Sequence, residues 1–143
     1  MGHHAEILLV EDSAGDARLM QEAFKSLSTP TRLHLARDGV EAMSFLRREG
    51  AHGRAPRPHL ILLDLNLPRR DGREVLALIK GDAQLKDIVV VVLSTSASPE
   101  DVRHCYGLHA NSYLTKPADL DEFFQVVDTI ERYWLKTARL PGR

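Results

Sequence analysis

Along the chain, three short stretches carry no polar residue: Ile7 to Val10, Leu60 to Leu63 and Ile88 to Leu93. Aliphatic runs without polar alternation suit parallel strands covered by helices on both faces. Arg32 to Ala36 and Ser112 to Leu114 are weaker strand candidates. Between these runs the apolar spacing changes to three and four, the helical period. Ala17, Met20, Phe24 and Leu27 form one stripe; Val40, Met43 and Leu46 follow Asp38-Gly39 and form a second; Val75, Leu78 and Ile79 mark a third. Ser98-Pro99-Glu100-Asp101 reads as a helix start, with a serine cap, a first-turn proline and acids near the positive end. Asp119-Leu120-Asp121-Glu122 reads as another capped start. A β-α unit repeated five times predicts an α/β doubly wound parallel sheet, with right-handed crossovers placing helices on both faces. Gly50 to Pro58 is turn-rich and aperiodic, an exposed loop before the third strand.

Composition narrows the function classes. The 143 residues suit one domain, and no repeat of solenoid length is present. With 19 Lys+Arg against 20 Asp+Glu the net charge is −1, without the clustered basic footprint of a general nucleic-acid binder. The hydrophobic fraction of 43% excludes a disordered tail and supports a core. No apolar run approaches the roughly 20 residues of a membrane helix, and no signal peptide precedes the first strand. One cysteine, Cys105, leaves no internal disulfide and fits a reducing cytoplasm. Residues 1–5 read as a leader in which His3-His4 is native or a tag remnant.

In open α/β sheets, ligands bind beyond the carboxyl ends of the strands. Those ends present Glu11-Asp12, Asp64 followed by Asn66, Ser94-Thr95-Ser96, and Thr115-Lys116-Pro117. Each residue type has work in phosphoryl transfer. A carboxylate can attack phosphorus and become an acyl phosphate, and Asp64 stands directly after a buried strand. Clustered carboxylates repel one another unless a cation neutralises them. Mg²⁺ (or Mn²⁺) suits Glu11, Asp12 and Asp64, with the Asn66 backbone carbonyl as a further oxygen. Lys116 can neutralise phosphoryl oxygens and Ser94 can donate to one.

These residues resemble the receiver domain of two-component response regulators, from about Glu6 to Glu131. The resemblance implies a flavodoxin-like (βα)5 fold with strand order 2-1-3-4-5. It implies Glu11-Asp12 as the acidic pair, Asp64 as phosphoacceptor, Ser94 as switch hydroxyl, Tyr113 as switch aromatic, and a cis peptide bond before Pro117. Glu11 stands where aspartate is commoner and Ser94 where threonine is usual, so Thr95 competes with Ser94 for the hydroxyl role. In the family, phosphorylation draws the hydroxyl residue inward, the aromatic residue follows, and the surface of helix 4, strand 5 and helix 5 changes.

Simpler roles stand beside these. Asp64 alone could be a helix cap, Tyr113 a half-buried structural residue, and Asn66 a turn former before Leu67-Pro68. His104 and His109 lie five apart, about 140° around a helix, which fails as a chelating pair. Cys105 has no supporting base and reads as a packed residue. Arg69-Arg70 read as a solvated face.

The last helix is apolar over about half its circumference. Leu120, Phe123, Val127, Ile130 and Trp134 form its stripe, flanked by Val126 and Tyr133 on one side and Phe124 on the other. That exceeds the ~100° stripe of a surface helix. Tyr133 and Trp134 either fold back on their own domain or meet a second copy. Leu93-Ser94-Thr95-Ser96, Ser112 to Lys116, and Glu131 to Leu135 with Leu140-Pro141 are similar to phytochrome-associated response regulators. That narrower resemblance implies a phytochrome histidine kinase upstream. It also implies a homodimer through helix 4, strand 5, helix 5 and an extension over 132–143, with Val126, Tyr133 and Trp134 on the dimer surface.

The expectation is a cytoplasmic, stand-alone receiver over 6–131 that is not an enzyme beyond its own phosphorylation and dephosphorylation. It engages an unidentified downstream protein, but neither nucleic acid nor membrane. A phosphate-independent interaction module is one alternative. An aspartate-nucleophile phosphohydrolase is another, although Asn66 occupies the place of its usual acid-base aspartate. No G-x-x-x-x-G-K-[ST] loop supports a nucleotide switch.

Overall fold

The computed structural model describes residues 4–143, so most of the 1–5 leader lies outside the described residues. The elements run β1 (Ala5–Val10), α1 (Ala14–Lys25), β2 (Thr31–Ala36), α2 (Gly39–Arg47), β3 (Leu60–Asp64), α3 (Gly72–Gly81), β4 (Val89–Ser94), α4 (Pro99–Gly107), β5 (Ser112–Thr115) and α5 (Leu120–Ile130). All strands are parallel, in the order β2-β1-β3-β4-β5, as the alternation of runs and stripes predicts. The turn-rich segment before β3 holds a single 3-10 turn, Gly50–His52, and otherwise remains a loop.

The central strands are apolar throughout because alternate residues enter different cores. Leu8, Val10, Ile61, Leu63, Val90 and Val92 pack under α2, α3 and α4. Ile7, Leu9, Leu60, Leu62, Val91 and Leu93 pack against α1 and α5. Fully burying each such side chain contributes about 1.5–3 kcal/mol. Each of α1 to α5 starts with a side-chain cap: Ser13, Asp38, Asp71, Ser98 and Asp119 each accept a backbone N–H of the following turn.

Register brings the strand ends level. Val10 pairs with Leu63, Leu63 with Val92 and Val92 with Tyr113. One residue further on stand Glu11 and Asp64, and just beyond them Ser94 and, across from it, Thr115. Chemistry-bearing residues distant in sequence therefore share one edge of the sheet.

The last helix departs from the expected stripe. After Ile130 the backbone widens into a π-helical stretch, Glu131–Thr137. A π turn closes i to i+5, so the next buried apolar side chain after Ile130 is Leu135, while Trp134 is only half-buried. Leu120, expected on the buried stripe, is exposed at the first turn of α5. Leu135 and Leu140 join the core beside α1 and α5, and Tyr133 stays 53% exposed, edge-on to Trp134 at 4.8 Å between ring centroids.

Candidate functional site

Asp64 ends β3 and is 6% exposed, with Leu63 before it and Leu65 after it wholly buried. The loop that follows is drawn tightly under it. Gly72 donates its N–H to the Leu65 carbonyl at 2.9 Å. A Cβ on Gly72 would collide with the Asp64 carbonyl oxygen and lie 2.6 Å from Leu65 Cα, so glycine is what permits this approach. The backbone N–H of Asn66 donates to Asp64 Oδ1 at 3.2 Å. Asp64 is thus fixed from its own loop.

Its other oxygen meets Lys116, which follows β5. The Lys116 Nζ lies 2.6 Å from Glu11 Oε1, 2.8 Å from Asp16 Oδ2 and 3.2 Å from Asp64 Oδ2. Burial works against the lysine's charge, but bonds to Asp16 and Glu11 and the Asp64 charge prevail and push its pKa above the ordinary lysine range. Asp16 was not among the sequence candidates. Its signal was the Ser13-x-x-Asp16 spacing, a capped helix start whose first turn opens directly beyond β1.

Glu11 is 3% exposed and accepts the Ser13 N–H at 3.0 Å. Burial pushes its carboxyl up to about 7, despite the hydrogen bonds from Lys116 and Ser13, and the neighbouring Asp64 charge adds to the rise. Asp12 is exposed beside it. Oxygen atoms of Glu11, Asp12 and Asp64 come within 4.8 Å of one another. Three carboxylates, Glu11, Asp16 and Asp64, therefore share one ammonium, with Asp12 clustered beside Glu11 and Asp64. A hard divalent cation fits that surplus of negative oxygen donors, and Mg²⁺ or Mn²⁺ takes such ligands.

Ser94 is 1% exposed and its Oγ accepts the Ser96 N–H at 3.1 Å, whereas Thr95 is exposed. The Ser94 carbonyl accepts the Lys116 N–H at 2.7 Å. Tyr113 is half-buried, its hydroxyl donating to the Ser96 carbonyl at 2.8 Å. Of the two candidate hydroxyls, Ser94 is the buried one and Thr95 faces outward.

One expectation fails. There is no cis peptide bond among the described residues, so Lys116–Pro117 is trans. Trans is the lower-energy isomer of an X–Pro bond by about 0.5–1 kcal/mol. With this backbone path the Lys116 ammonium already reaches three carboxylates while its N–H bonds to Ser94, and Pro117 itself is buried. His104, Cys105 and His109 do not assemble into a metal cluster among the described residues; Cys105 is buried in the α2–α3–α4 core, as a packed residue should be.

Comparison with known proteins agrees with this geometry. The family described as response regulator receiver domain matches residues 7–128. Response regulator Rcp1 of Synechocystis sp. is 53% identical over 136 residues, covering 95% of this chain and 92% of its own. The phosphorylated cyanobacterial phytochrome response regulator RcpA superposes with a TM-score of 0.94 at 55% identity, covering 98% of this chain and all (100%) of the other. The Mn²⁺-bound form of Rcp1 superposes with a TM-score of 0.91 at 52% identity, covering 96% and 99%. With an acidic pocket, a strand-end aspartate and a buried lysine on a doubly wound sheet, the chain belongs to the response regulator receiver domain family.

Proposed function

We propose that Asp64 accepts a phosphoryl group from the phosphohistidine of a sensor kinase. The observation that carries this reading is the meeting of Lys116 with Asp64 and Glu11 at a buried edge that also gathers Asp12. An Asp64 carboxylate oxygen attacks phosphorus. The new O–P bond forms as the donor's N–P bond breaks, and the leaving imidazole nitrogen takes a proton from water. Glu11, Asp12, Asp64 and the Asn66 carbonyl would hold Mg²⁺ (or Mn²⁺), which supplies charge neutralisation at the phosphoryl oxygens. Lys116 balances charge on the same oxygens, and the Ser94 hydroxyl donates to one. The protein's catalysis is confined to forming and losing its own acyl phosphate.

The kinase is a phytochrome in this reading, supported by the 53–55% identity to Rcp1 and RcpA. Downstream, the signal passes to another protein through altered contacts. A homodimer through α4, β5, α5 and the 132–143 extension is supported by the exposed Tyr133, the half-buried Val126 and Trp134, and a groove of about 300 Å³ lined by Leu114, Ile130 and these two aromatics. Residues 6–131 form the receiver unit in this scheme. A cytoplasmic setting belongs to this reading, supported by the family match to response regulator receivers; no described helix is long and apolar enough to cross a membrane.

Phosphotransfer from a purified, labelled phytochrome histidine kinase tests the reading. Label should reach the wild type in Mg²⁺ and not Asp64→Asn; equal labelling of both would move the acceptor elsewhere. Light scattering tests the dimer, since a protein that stays monomeric at high concentration excludes it.

A further inference from the structure

The segment 95–98 between β4 and α4 has no regular secondary structure, yet Ser96 within it is held by all three of its polar groups. Its N–H donates to Ser94 Oγ at 3.1 Å, and its carbonyl accepts the Tyr113 hydroxyl at 2.8 Å. Its own hydroxyl donates to Asp101 Oδ2 at 2.6 Å. Asp101 sits in the first turn of α4 and its Oδ1 accepts from the Arg73 guanidinium, 3.1 Å away in the first turn of α3. Arg73 also reaches Asp71 at 3.3 Å, the residue that caps α3. The chain of bonds therefore runs from the surface of α3 through α4 to the buried hydroxyl of Ser94, on the strand next to Asp64.

We propose that Arg73 and Asp101 are positioning residues for phosphoryl binding, their ion pair anchoring Ser96 so that Ser96 presets the Ser94 hydroxyl and Tyr113. This rests on Asp64 being the phosphoryl acceptor. A loop without secondary structure loses backbone entropy when fixed, about 1–2 kcal/mol per residue. A loop already fixed before the ligand arrives spares the ligand that loss. Ser94 must offer its proton to the phosphoryl oxygen, and here one lone pair of its oxygen accepts the Ser96 N–H, which fixes the oxygen and leaves the O–H free to donate. Without Asp101, the Ser96 hydroxyl has no carboxylate to bind and the segment 95–98 loses its tie to α4 and α3. Both ion-pair side chains are 30% exposed. A pair that open to water adds little to global stability, so its effect falls on the site more than on unfolding.

The pair could instead be a tie between two helix starts with no effect on ligand binding, and the experiment separates the two. Beryllofluoride with Mg²⁺, a phosphoryl stand-in, is titrated by fluorine NMR into wild type, Arg73→Ala, Asp101→Ala and the reversed pair Arg73→Asp/Asp101→Arg. The single variants should bind beryllofluoride about three- to tenfold more weakly. Their Mg²⁺ affinity without beryllofluoride should be unchanged and their Tm within about 2 °C of wild type. The reversed pair restores the charges but leaves the Ser96 hydroxyl no carboxylate, so it should bind as weakly as Asp101→Ala, and recovery to wild-type affinity overturns the role given to Ser96. Single variants that bind as wild type does, or that lose affinity only in step with Tm, overturn the proposal. A folded wild type that binds no beryllofluoride overturns the acceptor reading itself, and the positioning role with it.

Discussion

Two buried glutamates show how this fold separates structure from chemistry. Glu131, 4% exposed, lies just after α5. One of its oxygens accepts the Thr29 N–H at 2.8 Å and the Ser28 hydroxyl at 3.2 Å, with Lys136 at 3.8 Å from the other. Burial works to raise its pKa, but these donors outweigh it and hold the carboxyl below the ordinary value of 4.5. Glu11 is equally buried, and its carboxyl is pushed up to about 7. Burial is the largest cause at both: at Glu131 Thr29, Ser28 and Lys136 outweigh it, whereas at Glu11 the bonds from Lys116 and Ser13 do not and the Asp64 charge adds to it. At Glu131 the donors outweigh burial, and the carboxylate holds a turn in place. At Glu11 they do not, and its crowding with Asp12 and Asp64 leaves room for a cation.

The largest effect should come from neutralising the crowded member, Glu11. Glu11→Gln removes a charge and keeps one oxygen, which serves Lys116 or the Ser13 N–H but not both. Mg²⁺ affinity by calorimetry should fall about 10–100-fold, while metal-free stability at pH 8 should hold or rise, because repulsion among the carboxylates is relieved. A fall in metal-free stability would mean that Glu11 is structural, like Glu131.

Glu131→Leu should do the opposite. It strands the Thr29 N–H and should lower unfolding stability by about 1–3 kcal/mol in denaturant melts, leaving Mg²⁺ affinity unchanged. A weaker Mg²⁺ affinity in this variant would erase the contrast.

A smaller effect follows from pH, with opposite signs at the two residues. The raised pKa of Glu11 gives a stability contribution that is full below 4.5 and lost as pH rises towards about 7. The lowered pKa of Glu131 gives one present above 4.5 and lost as pH falls below it. Melts of metal-free wild type and Glu11→Gln between pH 5 and pH 8 should therefore diverge, the variant gaining relative to wild type as pH rises. Mg²⁺ must displace the Glu11 proton, so its affinity should climb up to about pH 7 and level off above. An affinity flat from pH 5 to pH 8 would contradict the raised pKa.

The same contrast marks what could be read before folding. The apolar runs of β1, β3 and β4 were legible because burial on both faces leaves no polar position. Glu11, Asp64, Ser94 and Lys116 were legible because strand ends in such sheets converge. Asp16 was not, since its role depends on how closely the first turn of α1 approaches Lys116. Leu135 replaced Trp134 in the core because a π-helical widening is invisible to a 3.6-residue stripe. Glu131 pairs with Ser28 and Thr29, about a hundred residues away, a contact that no local spacing encodes. The trans bond at Pro117 corrected an expectation carried by resemblance alone.

The central claim is that the crowded carboxylates make Asp64 a metal-dependent phosphoryl acceptor. Intact mass after incubation with acetyl phosphate tests it without any kinase. The account predicts one added phosphoryl group on the wild type in Mg²⁺, none with the metal chelated and none on Asp64→Asn. A folded wild type that gains no phosphoryl group at any quench time and binds no beryllofluoride, or an Asp64→Asn protein that gains the group equally, would contradict it.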